Sequence, residues 1–155
     1  MLKELDFLEI NLGRAVPEPA LLEELSCLLQ VDRAAMWNWS WIAEAPDYVH
    51  TNVSYVVNDE PVYPLFLSLN FNRPLEVATT FEVEIGYALA QRFACAVLVS
   101  DPSDSADGLL EILPTGQVAA CALSRDAQGK PVYTPGPSGP YPEVLAQLQA
   151  ALSGR

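Results

Sequence analysis

The chain has 155 residues, 50% hydrophobic and 18% charged, with eight Lys and Arg against twenty Asp and Glu and a formal charge of -12. That apolar content excludes a disordered chain, and the negative balance opposes binding to nucleic-acid phosphates or anionic lipid. The length favours one domain over residues 1–155, and three cysteines without C-x-x-C spacing give neither a disulfide framework nor a structural zinc site.

In chain order, residues 5–12 set Asp6, Leu8, Ile10 and Leu12 against Phe7, Glu9 and Asn11, the period of a strand that ends at Gly13. Pro17-Glu18-Pro19 then opens a helix, with proline in the first turn and an acid at the positive end of the dipole. Leu21, Leu22, Leu25, Leu28 and Leu29 fill one arc of it. From residue 35 to 71 the period is two. Trp37, Trp39 and Trp41 share one face of a strand, as core residues or as interface anchors, until Pro46 breaks the run. Val49, Thr51, Val53, Tyr55 and Val57, then Tyr63, Leu65, Leu67, Leu69 and Phe71, form the apolar face of an antiparallel hairpin across Asn58-Asp59-Glu60-Pro61.

After Asn72-Arg73-Pro74, Thr79-Thr80-Phe81-Glu82 spells a capping box. The helix it opens is apolar around most of its circumference, with Glu84, Gln91 and Arg92 on the wet side, so it is expected to be buried. Residues 94–100 continue as a strand apolar on both faces. Residues 101–108 read as a loop, 109–113 and 117–123 as a hairpin across Pro114-Thr115-Gly116, and the Gly/Pro-rich 124–141 as an irregular surface loop. Val144, Leu145, Leu148, Ala151 and Leu152 give a final helical stripe. The order β-α-βββ-α-βββ-α predicts an α+β fold, a mostly antiparallel sheet with a buried central helix and flanking N- and C-terminal helices.

Candidate chemistry is sparse. Glu82, about 160° around the helix from Glu84, falls amid the apolar arc. There a carboxyl can act as a general acid, although the capping box accounts for it without chemistry. His50, the single histidine, lies on the wet face of its strand with no local signature pairing it to Cys95, Cys121 or Ser138. Asp101, Asp104, Asp107, Gly108 and Glu111 resemble an oxygen-rich cation loop, but the acids recur every third residue where an EF-hand alternates them. No glycine-rich phosphate loop occurs. The expectation is a non-catalytic protein without metal or cofactor. With no basic leader and no apolar run near the ~20 residues a bilayer requires, it is expected to be cytoplasmic.

Charge placement is more informative. No Lys or Arg occurs between Arg33 and Arg73, or between Arg92 and Arg125, whereas Glu44, Asp47, Asp59 and Glu60, then Asp101, Asp104, Asp107 and Glu111, do. These residues, with Trp41 as an anchor, are expected to form acidic rims at strand ends that capture a basic protein partner.

The passage Ile85-Gly86-Tyr87-Ala88-Leu89-Ala90-Gln91-Arg92-Phe93-Ala94-Cys95-Ala96-Val97-Leu98-Val99-Ser100-Asp101, followed by the turn Leu113-Pro114-Thr115-Gly116-Gln117, resembles the small acidic α+β immunity proteins that bacteria encode beside polymorphic or type VI secreted toxins. The resemblance implies a cytoplasmic protein that occludes one cognate toxin, and it assigns no residue a role. The chain is also similar to type III secretion chaperones, which hold an effector segment, but departs from them in its N-terminal strand and in a central helix that feeds directly into a strand. A small enzyme using Glu82 or His50 is the remaining alternative.

Overall fold

The computed structural model describes residues 2–37, 50–100, 108–135, 146, 147, 149, 150 and 152. These form an α+β fold of eight strands, mostly antiparallel, and two α-helices, divided into two compact units, Met1–Thr79 and Thr80–Arg155. Among the described residues, no helix is long and apolar enough to cross a membrane.

In the first unit, β1 (Leu2–Leu12) is followed by α1 (Glu18–Leu29), a short 3-10 turn (Arg33–Ala35), β2 (Met36–Trp37), β3 (Thr51–Val57) and β4 (Leu65–Ala78). The strand order is β2-β3-β4-β1. α1 buries the leucine stripe Leu21, Leu22, Leu25 and Leu29, while Leu28 is only half-buried. It closes on Gln30 in the left-handed region (φ 55°), whose N–H donates to the Cys27 carbonyl, while the Ser26 hydroxyl donates to the Val31 carbonyl at 2.6 Å. The Tyr55 hydroxyl donates to the Val16 carbonyl at 2.6 Å, tying β3 to the segment that leads into α1.

The predicted hairpin is present. β3 and β4 pair antiparallel from Thr51↔Phe71 to Val57↔Leu65, and Asn58 N–H donates to the Pro64 carbonyl at 2.8 Å to close the turn. β4 runs on past Phe71, where its predicted apolar face ends, through Asn72-Arg73-Pro74 to Ala78. The reason is a bulge against β1, where the register jumps from Leu5↔Leu75 to Phe7↔Asn70. One residue of β1, Asp6, thus faces four of β4, and a proline is tolerated where no ladder hydrogen bond is required of it. The same bulge moves Asp6 out of the alternation with Leu8, so Leu5 and Leu8 are both buried and Asp6 is exposed.

The second unit holds α2 (Phe81–Phe93), β5 (Val97–Ser100), β6 (Gly108–Ile112), β7 (Val118–Arg125) and β8 (Pro131–Pro135), with strand order β5-β6-β7-β8. α2 is buried along Glu82, Val83, Ile85, Gly86, Leu89, Ala90 and Phe93, as its apolar circumference predicts. Thr80 stands at the N-cap with φ -91° and ψ 5°, away from the extended geometry a cap requires, and its own side chain makes no cap hydrogen bond. β5 starts three residues later than its apolar run, because Ala94 turns left-handed (φ 52°) to end α2 and Cys95 N–H still bonds the Ala90 carbonyl. The strand is buried on both faces, at Val97, Leu98 and Val99.

β6 and β7 pair antiparallel from Gly108↔Ala122 to Ile112↔Val118 across the predicted turn. The Gly/Pro-rich stretch is not wholly irregular. β7 reaches Arg125 and pairs with β8 through a turn in which the Asp126 carboxylate accepts from the Gln128 and Lys130 N–H groups, each at 2.9 Å. Beyond it, residues 146, 147, 149, 150 and 152 are helical, and Leu152 of the predicted final stripe is buried; Val144, Leu145, Leu148 and Ala151 lie outside the described residues.

Candidate functional site

The sheet of the first unit has a buried face and an open one, and the pairing register says which residues stand on each. Directly opposite residues of an antiparallel pair share a face, so the β1-β4 and β4-β3 registers define rows across three strands. Leu8-Leu69-Val53 and its neighbours are inside. On the open side the rows are Phe7-Asn70-Asn52, Glu9-Ser68-Ser54 and Asn11-Phe66-Val56. Past the bulge the even-numbered residues of β4 keep this face, which adds Glu76 opposite Glu4 and Ala78 opposite Leu2. Glu4, Glu9 and Glu76 are exposed, and no Lys or Arg occupies these register positions. Leu2 is 61% exposed, Phe7 52% and Val56 45%. Large apolar side chains on a solvated sheet face, between amides, hydroxyls and carboxylates, form a surface suited to covering by another molecule.

This face ends at the β3–β4 turn. There Val57 and Val62 are 53% and 59% exposed, flanking Asp59 and Glu60, and the Asn58 side-chain oxygen accepts from Glu60 N–H at 2.9 Å. Asp59 is exposed and Glu60 half-buried. Of the residues predicted to meet a partner, Asp59 and Glu60 therefore stand together at a strand end, as expected. Glu111 does not: it lies in the middle of β6 in the second unit, half-buried between Leu98 and Ala119. Trp41, Glu44, Asp47, Asp101, Asp104 and Asp107 lie outside the described residues, as do Trp39 and the break at Pro46. Trp37 is half-buried in β2, where its indole N–H donates to the Ala34 carbonyl at 2.8 Å.

Comparison with protein-family models, with curated proteins and with solved structures returns no match. The candidate site therefore stands on this chain's own geometry.

The residues considered for catalysis are placed as follows. Glu82 is 6% exposed in the first turn of α2, in company with Glu84 near the positive end of the helix. His50 is half-buried rather than on a wet face: its Nδ1 lies 2.9 Å from the Thr51 hydroxyl, and its ring lies 5.9 Å from that of Phe71. The backbone on both sides of it is engaged, with His50 N–H donating to the Ala35 carbonyl and Asn72 N–H donating to the His50 carbonyl. Cys95 and Cys121 are buried and Cys27 is exposed. Among the described residues, no group of three or more His, Cys, Asp and Glu is arranged to hold a metal ion.

Sequence reasoning overlooked the open face of the first unit. Its carboxylates are dispersed along β1 and β4, and they become neighbours only through cross-strand pairing. The signal was the alternation in β1, where Phe7 falls with Glu9 and Asn11 on the side away from Leu8 and Ile10.

Proposed function

We propose that the chain is a non-catalytic binding protein that captures a cationic protein partner, and that this partner is a bacterial toxin which the chain neutralises as an immunity protein. The observation that carries the reading is the end of the β3–β4 hairpin, where Val57 and Val62 project beside Asp59 and Glu60. The acids attract a basic surface over roughly a Debye length of ~10 Å, and the valines shed water once contact is made. A formal charge of -12 extends that attraction over the whole chain. What supports the toxin assignment is the resemblance of residues 85–101 and of the turn at 113–117 to immunity proteins. Capture of this kind consumes nothing and transforms nothing: it blocks the toxin by covering it.

The test begins with the neighbouring reading frames. A basic toxin encoded beside this chain is expected to form a one-to-one complex with it, and reversing Asp59 and Glu60 to Lys is expected to slow association about tenfold while changing dissociation little. A complex whose association rate is indifferent to salt, or a partner without a basic surface, overturns the reading.

A further inference from the structure

We infer that the open face of β1, β3 and β4 is the surface on which the partner is held, and that its occupant is an arginine-bearing segment of a protein. This inference rests on the proposed capture of a basic protein and names the surface that performs it.

Glu4 stands directly opposite Glu76, with Glu9 further along the same face of β1, and none of these register positions carries a cation. Like charges directly opposed across a strand pair cost the folded chain stability, and a bound cation turns that cost into attraction. Phe7 offers an aromatic face at 52% exposure just across the bulge from Glu4. A guanidinium suits this combination better than an ammonium, because it hydrogen-bonds carboxylates bidentately and stacks on an aromatic ring. Ser54, Ser68 and Asn70 in the middle rows supply both donors and acceptors for polar groups of the same segment. Leu2 and Val56, at opposite ends of the face, provide apolar contacts. A second copy of this chain is disfavoured as the occupant, since a self-complementary interface would set these carboxylates against themselves.

The test is a titration of the full chain, labelled with nitrogen-15, with a short arginine-rich peptide and with a lysine peptide of equal length and charge. Amide shifts are expected to centre on residues 4, 7, 9, 68, 70 and 76, with the arginine peptide bound more tightly. Phe7→Ala is expected to weaken arginine-peptide binding about threefold and to narrow the gap between the two peptides. Glu76→Lys, which places a lysine opposite Glu4 and so favours folding, is expected to weaken it about fivefold. Glu23→Lys on the exposed side of α1 changes the net charge equally and is expected to have much less effect. Equal effects of Glu76→Lys and Glu23→Lys, or absence of saturable binding at low salt, overturn the inference. Shifts confined to residues 57–62 overturn it too, while leaving capture of a basic partner standing. A dimer of the chain that Phe7→Ala dissolves also overturns it, in favour of a self-interface. The proposed capture itself is decided separately, by the toxin complex.

Discussion

A methyl group added at residue 86 has little room. A Cβ there would lie 2.5 Å from Ile112 Cδ1 and 3.1 Å from Val99 Cγ1, because α2 approaches β5 and β6 at this glycine. Replacing a helical glycine with alanine gains about 1 kcal/mol of propensity, whereas overfilling a core costs about 1–3 kcal/mol. Gly86→Ala is therefore expected to lower stability in urea titrations. Ile112→Val removes the atom in conflict at a cost of about 1 kcal/mol by itself, so the double variant is expected to be more stable than the sum of the two losses predicts. Additive losses would show that the close approach is not what constrains residue 86. Cys121 offers a different handle. Burial pushes its thiol above the ordinary value, and the Glu111 carboxylate adds to the shift. As pH rises past about 8.5 the unfolded chain releases this proton while the folded chain retains it, so the unfolded state binds fewer protons and stability falls. The contribution is complete below about 8.5 and is lost as pH passes the raised native value. Unfolding free energy is expected to decline as pH rises above about 8.5, and Cys121→Ala to flatten that decline. Tyr55, raised by burial and then by Glu18, adds its own decline only at higher pH.

At the level of elements, the β6–β7 hairpin is held from two sides. Gly116 takes φ 90°, a conformation that costs a residue with a Cβ, and the site of that Cβ is 3.6 Å from the Tyr87 ring. Gln149 grips the same turn with its amide: its oxygen accepts from Val118 N–H at 3.0 Å and its nitrogen donates to the Gly116 carbonyl at 2.7 Å. Gln149→Ala removes both bonds, and at about 1 kcal/mol each it is expected to cost about 2 kcal/mol in a denaturant titration. Gln149→Glu keeps an acceptor for Val118 but sets an oxygen against the Gly116 carbonyl, so it is expected to recover only part of the loss. This clamp was invisible in the sequence, because it joins residues far apart in the chain and a glutamine near a C-terminus carries no pattern. The hairpins at 51–71 and 109–123, by contrast, were legible, since alternation over a whole strand and a turn between two strands are local properties. The continuation of β4 beyond Phe71 through Pro74 was not legible for a definite reason: whether a proline ends a strand or sits in a bulge depends on the partner strand β1, which local sequence does not contain. The strand at Pro131–Pro135 was hidden similarly, its prolines suggesting a loop while its pairing with β7 is made from Cys121 to Arg125. The tip acids Asp59 and Glu60 could be read from a turn signal. The open sheet face could not, since Glu4 and Glu76 meet only across a register.

For the whole molecule the governing quantity is charge that its own cations cannot balance: eight Lys and Arg against twenty Asp and Glu. Even if every cation were paired, most of the carboxylates would remain without one, so the folded chain repels itself at neutral pH. The proposed capture of a basic protein would exploit this excess, whereas stability of the free chain suffers from it. Salt then acts on the two with opposite sign. Raising ionic strength shortens the screening distance from about 30 Å at 0.01 M to about 3 Å at 1 M, which weakens the repulsion within the chain and equally weakens attraction to a cationic partner. The free chain is therefore expected to show a rising midpoint of thermal unfolding as sodium chloride increases over that range, while association with a basic partner slows over the same range. The comparison is best made with chloride, because sulfate would strengthen apolar burial irrespective of charge. Reversing Asp59 and Glu60 to Lys should reduce both slopes together, since it removes part of the common cause. A midpoint that falls with added chloride would mean that local ion pairs outweigh the net repulsion. The surface would then lack the uncompensated field on which steering of a basic partner depends.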